Sequence, residues 1–123
     1  MVHEVTGQEV EGLAGGRGRA LKYEVVPKEA LNGHGRLYAR IVLSPGSSVG
    51  WHQHVRETEP YYILRGEGDF IEGRTGDGER TRTRVHAGQV CTIEVGQWHS
   101  LENNSDNELE FMALIYNEPG YLN

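Results

Sequence analysis

The sequence predicts an all-β chain folded as one domain. Glycine is abundant, at 17 residues, and spread along the whole chain, not gathered into a linker. Short apolar runs recur between clusters of turn residues, and no amphipathic pattern lasts beyond one or two helical turns. A series of about eight to ten short strands at regular spacing suggests a sandwich or a closed barrel. With 123 residues the chain can build one core and not two.

The elements follow in order. Residues 1–20 include GLAGGRGRA and little apolar material, so they read as a flexible N-terminal arm, with the barrel domain spanning residues 21–123. LKYEVVP (21–27) reads as a first strand stopped by Pro27, and KEALNGHG as a connector or a single helical turn. RLYARIVL alternates: Leu37, Ala39, Ile41 and Leu43 share one face, and Tyr38, Arg40 and Val42 the other. GWHQHV is a short strand punctuated by RETEP. YYILRGEGDFIEG holds two apolar runs about a Gly-Glu-Gly turn. RTGDGE signals a hairpin, because Asp-Gly tolerates the positive φ angles of a tight turn. RTRTRV alternates strictly, and its arginines, Arg80, Arg82 and Arg84, suit a solvated face that protects an exposed edge. VCTIE, a strand within VGQWHSLEN, and LEFMALIY complete the series.

The balance of charge is acidic, 12 Lys and Arg against 18 Asp and Glu. Nucleic acid is therefore not the expected partner, since phosphate binding needs a concentrated basic surface. Cys91 is the only cysteine, so no intrachain disulfide can form, and on a predicted strand it should be buried and inert. No run is long enough for a membrane-spanning helix and the N-terminus lacks an apolar signal region, so a cytoplasmic location is the default expectation.

The chemistry concentrates in GSSVGWHQHVRETEPYYILRG, residues 46–66. Side chains alternate across a strand, so His52 and His54 point to the same face with backbones about 7 Å apart, close enough to converge on one ion. A turn at VRET would bring Glu59 onto that face, with Tyr61 and Ile63 in phase behind it. Glu57 is a local rival for the carboxylate. Two imidazoles and a carboxylate suit divalent transition metals better than Ca or Mg, though an HxH pair beside a glutamate also arises by chance. Farther on, GQVCTIEVGQWHSLEN sets His99 just after a Gly96 turn, where a histidine taken alone is more often half-buried and satisfied than a ligand.

Taken together, the two stretches resemble the cupin superfamily, specifically its small single-domain conserved barrel proteins. The first motif, G-x5-H-x-H-x4-E-x6-G, is matched by Gly46, His52, His54, Glu59 and Gly66. The second, G-x5-P-x-G-x2-H-x3-N, is matched by Gly88, Gly96, His99 and Asn103, with Glu94 standing where the family has Pro. The resemblance extends from about Tyr23 to Tyr116. It implies a double-stranded β-helix, or jelly-roll, barrel with a metal held inside by His52, His54, Glu59 and His99. The x4 spacing selects Glu59 over Glu57.

Four protein ligands would leave two positions of an octahedral shell for water, dioxygen or a bidentate substrate. The expected cofactor is one divalent transition metal ion, Fe or Mn favoured, with Ni, Co, Cu or Zn compatible. Tyr61 is the candidate catalytic hydroxyl. The resemblance implies an enzyme on a small oxygenated molecule, either a metal-dependent oxidoreductase (dioxygenase-like) or an isomerase. The alternatives are a non-catalytic binding or sensing barrel and a metal that only staples the fold. A homodimer is expected because many small cupins pair and because LKYEVVP could add to a neighbour's sheet. Arg40 and Arg65 are considered as anchors for an acidic substrate, against the simpler reading of exposed strand-end arginines. By alternation Trp51 and Trp98 should face away from the metal.

Overall fold

The computed structural model describes all 123 residues. Eleven strands run in chain order: β1 (Gln8–Glu11), β2 (Arg19–Glu24), β3 (Gly35–Leu43), β4 (Ser48–Gln53), β5 (Glu57–Thr58), β6 (Tyr61–Arg65), β7 (Glu67–Gly73), β8 (Thr81–His86), β9 (Val90–Cys91), β10 (Trp98–Glu102) and β11 (Leu109–Asn117). Two antiparallel sheets form a jelly-roll-like barrel. The larger is ordered β1-β2-β3-β11-β6-β9, with β5 also pairing β11, and the smaller β4-β10-β7-β8. Helix is confined to two 3-10 turns, Leu13–Gly15 and Lys28–Leu31. No helix is long and apolar enough to cross a membrane.

The alternation in β3 turns Ala39, Ile41 and Leu43 into the core as the sequence predicts, while Val42 on the other face is also buried. Ala39, Ile41 and Leu43 join Ile63, Leu101, Leu109 and Phe111 in one core between the sheets. In β6, Tyr61 and Ile63 point inward while Tyr62 and Leu64 are exposed. The turns obey the chemistry of their residues. Gly66 has φ +89, and a Cβ there would strike the Glu108 carbonyl. Asn103 is fully buried and organises a loop: its Nδ2 donates to the carbonyls of Leu43 (3.0 Å) and Asn107 (2.8 Å), and its Oδ1 accepts from Ser105. The Glu94 departure has a local compensation. Its backbone N–H, which proline lacks, donates to Gln97 Oε1 at 2.8 Å, so a hydrogen bond fixes a turn that a ring would otherwise fix.

Three expectations are revised. Within residues 1–20, read as a loose arm, residues 8–11 form β1 on β2, and the following segment is tied to β4. The backbone N–H groups of Arg17 and Arg19 donate to Ser48 Oγ and Ser47 Oγ, both at 2.9 Å. Gly50 lies so close to this loop that a Cβ would collide with the Ala14 carbonyl and the Gly15–Gly16 backbone. Backbone pairing, not apolar burial, holds β1, which explains why a search for apolar runs passes over it. Second, β2 lies between β1 and β3, so it has no open edge and the pairing of LKYEVVP with a neighbour's sheet loses its ground. Third, of VCTIE only Val90–Cys91 is strand; Ile93 is nonetheless buried, and its carbonyl accepts from Thr58 Oγ1 at 2.8 Å.

Arg80, Arg82 and Arg84 flank or lie on β8, the outer strand of the smaller sheet. Arg82 bonds Asp69 (2.8 Å) and Glu102 (2.7 Å), and Arg84 reaches Glu67, Asp69 and Asn104, so the edge is laced by a charge network.

Candidate metal centre and cavity

Both sheets contribute to one cluster inside the barrel. His52 on β4 and His99 on β10 are direct cross-strand partners. His54 lies just past β4 and stays in place because its N–H donates to the Gln97 carbonyl and its own carbonyl accepts from Gly96. The Arg56 backbone, at φ +61, turns the chain into β5, and Glu59 follows with its side chain inward. The Nε2 atoms of His52, His54 and His99 are 2.9, 3.0 and 3.1 Å apart, and Glu59 Oε1 lies 2.9 Å from His54, 3.2 Å from His99 and 3.6 Å from His52. These four side chains could hold a metal ion.

The donor set fits one. His52 Nδ1 is 2.6 Å from the Gly50 carbonyl, which can only accept, so the proton of neutral His52 sits on Nδ1 and its Nε2 lone pair faces the cluster. His54 Nδ1 is similarly engaged by Glu57 Oε1 at 2.8 Å. Lone pairs aimed at one another inside a barrel repel unless a cation sits among them. Ligands about 2.1 Å from a common centre lie about 3.0 Å apart at right angles and about 3.4 Å apart at tetrahedral angles. The imidazole triangle therefore matches one face of an octahedron better than a closed tetrahedral site.

The electrostatics agree. Burial raises the Glu59 carboxyl, but the imidazoles of His52, His54 and His99 gathered around it outweigh this and hold Glu59 well below the usual carboxylate range. Burial pushes His99 down, towards the neutral imidazole that ligation requires. Burial lowers His54 as well, yet bonds to Glu59 and Glu57 win and its net shift is upward. The cluster draws positive charge. His99 Nδ1 is buried without a hydrogen-bond partner.

Tyr61 is fully buried and lies parallel to the His99 ring at 4.9 Å, and its hydroxyl donates to Glu59 Oε1 at 3.0 Å. Burial, reinforced by the Glu59 charge, raises the phenol well above its ordinary value, so it acts as a hydrogen-bond donor and not as a base. Glu57 does not join the four. It receives Nε and Nη2 of Arg36 at 2.7–3.1 Å and carries that bond on to His54. Burial raises the Glu57 carboxyl, but Arg36 and His54 more than reverse this and the net shift is downward.

A cavity of about 400 Å3 opens onto His52, His54, Glu59 and Tyr61. Leu37, Ile41, Val49 and Ile115 give it an apolar wall, and Lys22, Lys28 and Arg36 bring three cations against one further carboxylate, Glu24. A polar hollow of about 430 Å3 beside the 73–81 hairpin has no apolar lining and does not touch the cluster. Arg40 and Arg65 do not line the cavity. Arg40 stacks on Tyr23 and pairs with Glu110, and Arg65 is an exposed partner of Glu108 and Glu110. Trp51 and Trp98 stack on each other at 5.9 Å, with Trp51 Nε1 bonded to the Gly76 carbonyl. Cys91 is buried, and burial pushes its thiol up to about 11.

Sequence reasoning missed Arg36, Lys22 and the bridging role of Glu57. Arg36 and Glu57 meet because β11 pairs with both of their strands: Tyr116 is opposite Gly35 on one side and Thr58 on the other.

An inward-facing three-histidine, one-glutamate cluster in a jelly-roll barrel defines a cupin with a potential metal site. The cupin domain family matches residues 39–115, and the chain belongs to that family. It is 40% identical over 112 residues to an oxalate-binding protein of Thermotoga maritima, spanning 91% of this chain and 88% of that one. The crystal structure of a predicted oxalate decarboxylase from Thermotoga maritima superposes with a TM-score of 0.84 at 40% identity, covering 94% of this chain and 95% of the other. An acireductone dioxygenase of Tuber melanosporum is 31% identical over 70 residues, 56% of this chain and 40% of that enzyme.

Proposed function

We propose that this cupin holds one divalent transition metal ion, Fe or Mn favoured, on His52, His54, Glu59 and His99, and that it is an enzyme acting there on a small oxygenated molecule. The observation that carries the reading is the position of the cluster: three of its four donors, His52, His54 and Glu59, line a cavity roomy enough for a ligand, where a purely structural ion would be enclosed. Bound there, the ion would supply Lewis acidity and, for iron or manganese, one-electron redox chemistry.

The chain's own residues have separable tasks. Gly50 and Glu57 fix the tautomers of His52 and His54. Tyr61 restrains Glu59 and closes the inner side of the site. Leu37, Ile41, Val49 and Ile115 offer the ligand an apolar surface. Dioxygenase-like chemistry is supported by the partial likeness to acireductone dioxygenase; isomerase-like chemistry would draw on the Lewis acidity of the same ion.

A second reading, ligand capture without turnover, is favoured by the relative named as oxalate-binding. The deciding experiment measures metal content, then oxygen uptake and product formation with enols, diketones, polyphenols and oxalate, for the native protein and His54→Ala. Turnover that survives both chelation and His54→Ala refutes the metal mechanism. Saturable binding without turnover selects the second reading. The homodimer remains part of the proposal on family resemblance, and a sedimentation mass near 13.8 kDa would remove it.

A further inference from the structure

The register of β3 against β11 slips at one place. Leu37 is opposite Ile115 and Gly35 is opposite Tyr116, so two steps on β3 answer one on β11 and Arg36 is the unpaired residue of a β-bulge. Bulges re-aim side chains, and they gather beside functional sites. Strict alternation would turn Arg36 outward with Tyr38 and Arg40; instead it lines the cavity. Its guanidinium is fixed there. Nε and Nη2 bond Glu57, which also bonds His54, whereas Nη1 has no protein partner. The side chain is 44% exposed, so that free edge is open to a ligand.

The other cations are less suited to selection. Lys22 is paired with Glu24 at 3.3 Å, and Lys28 is an exposed residue of a 3-10 turn. Both raise the positive potential of a cavity in a chain whose net charge is −6, but neither has the planar fork that grips a carboxylate. Glu57 Oε1 lies 2.7 Å from Arg36 Nη2 and 2.8 Å from His54 Nδ1, so one carboxylate oxygen and one imidazole join Arg36 to the Nε2 cluster.

We propose that Arg36 is the specificity-determining residue of this site, and that the ligand class is a dicarboxylate. One end presents vicinal oxygens to the metal-binding cluster, and the far carboxylate meets the free Nη1 edge of Arg36. Glu57 is the positioning residue that holds the guanidinium in place. This rests on the proposal that a small oxygenated molecule binds at the cluster.

The test uses Mn(II)-loaded protein and isothermal titration calorimetry with malate and 2-hydroxybutyrate. These probes share a 2-hydroxy acid head and differ at the far end, carboxylate against methyl. Wild-type protein should prefer malate by about tenfold or more. Arg36→Gln should abolish the preference, so that malate and 2-hydroxybutyrate bind the same variant equally, and Arg36→Lys, which keeps the charge without the fork, should retain only part of it. Equal affinity of the two probes for wild-type protein overturns the inference even where Arg36→Gln fails to fold. So does a malate preference that persists in folded Arg36→Gln. In both of those outcomes the cluster still binds an oxygenated ligand and the proposed function stands. Failure of both probes to bind the metal-loaded protein refutes that underlying reading, and this inference with it.

Discussion

Glu57→Gln isolates the contribution of a residue that touches neither the cavity ligand nor the metal-binding atoms. In the native chain Glu57 Oε1 accepts from His54 Nδ1 at 2.8 Å and from Arg36 Nη2 at 2.7 Å. Glutamine preserves the shape and can still accept at one oxygen, but the negative charge is gone. His54 then loses the partner that raises the basicity of its Nε2, and the Arg36 charge is no longer neutralised beside the proposed cation site. Replacing the outer partner of a ligating histidine typically weakens metal affinity 10- to 100-fold, about 1.4–2.7 kcal/mol. His54 is 1% exposed and Glu57 11%, so little water can take over the lost bond and the upper half of that range is expected. The Arg36 charge adds less, since that side chain is 44% exposed and solvent screens it. The assay is competition for Mn(II) against a chelating dye at fixed pH, with the circular dichroism and melting of the apo variant as a folding control. A folded Glu57→Gln protein whose Mn(II) affinity stays within about twofold of wild type would refute the argument that this carboxylate tunes His54.

Metal linkage should be visible in stability: Mn(II) at about 100 times its Kd should stabilise by about 2.7 kcal/mol, chelator should reverse this, and His52→Ala should abolish the response in differential scanning fluorimetry. An unchanged Tm on Mn(II) addition to wild-type protein would count against the site. Acid sensitivity should trace partly to Asp69. Burial raises its carboxyl, but Arg82, Asn104 and Arg84 outweigh this and hold it below its ordinary value. Such a depressed group stabilises the fold above its unfolded pKa, about 3.9, and that contribution is lost as the pH falls through the lower native value. Asp69→Asn should therefore show a shallower fall in Tm than wild type below about pH 4, and parallel curves would refute it. For the Glu94 turn, Gln97→Ala should cost about 1 kcal/mol in urea unfolding and almost nothing in a Glu94→Pro background, because the proline has already removed the N–H that Gln97 accepts. Equal costs in the two backgrounds would break the coupling.

Much of this architecture is legible in the sequence because local rules decide it. Alternation in β3 and β6 places Ile41, Leu43, Tyr61 and Ile63 inward, and the same rule puts Trp51 and Trp98 outside the cavity. The cluster is legible for a related reason. His52 and His54 are one strand step apart in phase, and the spacing of Glu59 and His99 encodes the turns at Arg56 and Gly96 that bring them in. What escapes is whatever depends on pairing between distant strands. β1 carries only Val10 as a partly buried apolar residue, and its identity as a strand comes from hydrogen bonds to β2 that no local apolar pattern announces. VCTIE has strand composition, yet its pairing to β6 stops after Val90 and Cys91.

Arg36 shows the limit most sharply. Period-two reading assigns it to the outer face with Tyr38 and Arg40, and the sequence offers Arg40 and Arg65 as anchors for an acid, whereas Arg40 is tied to Glu110 and Arg65 to Glu108 and Glu110. The bulge that turns Arg36 into the cavity is a property of the β3–β11 pair, and the carboxylate that fixes it sits on β5, the other strand paired with the same end of β11. One strand end thus sets both the direction of the guanidinium and the support of His54. A change in the β11 register near Tyr116 would disturb ligand selection and metal affinity together, although no residue of β11 belongs to the cluster.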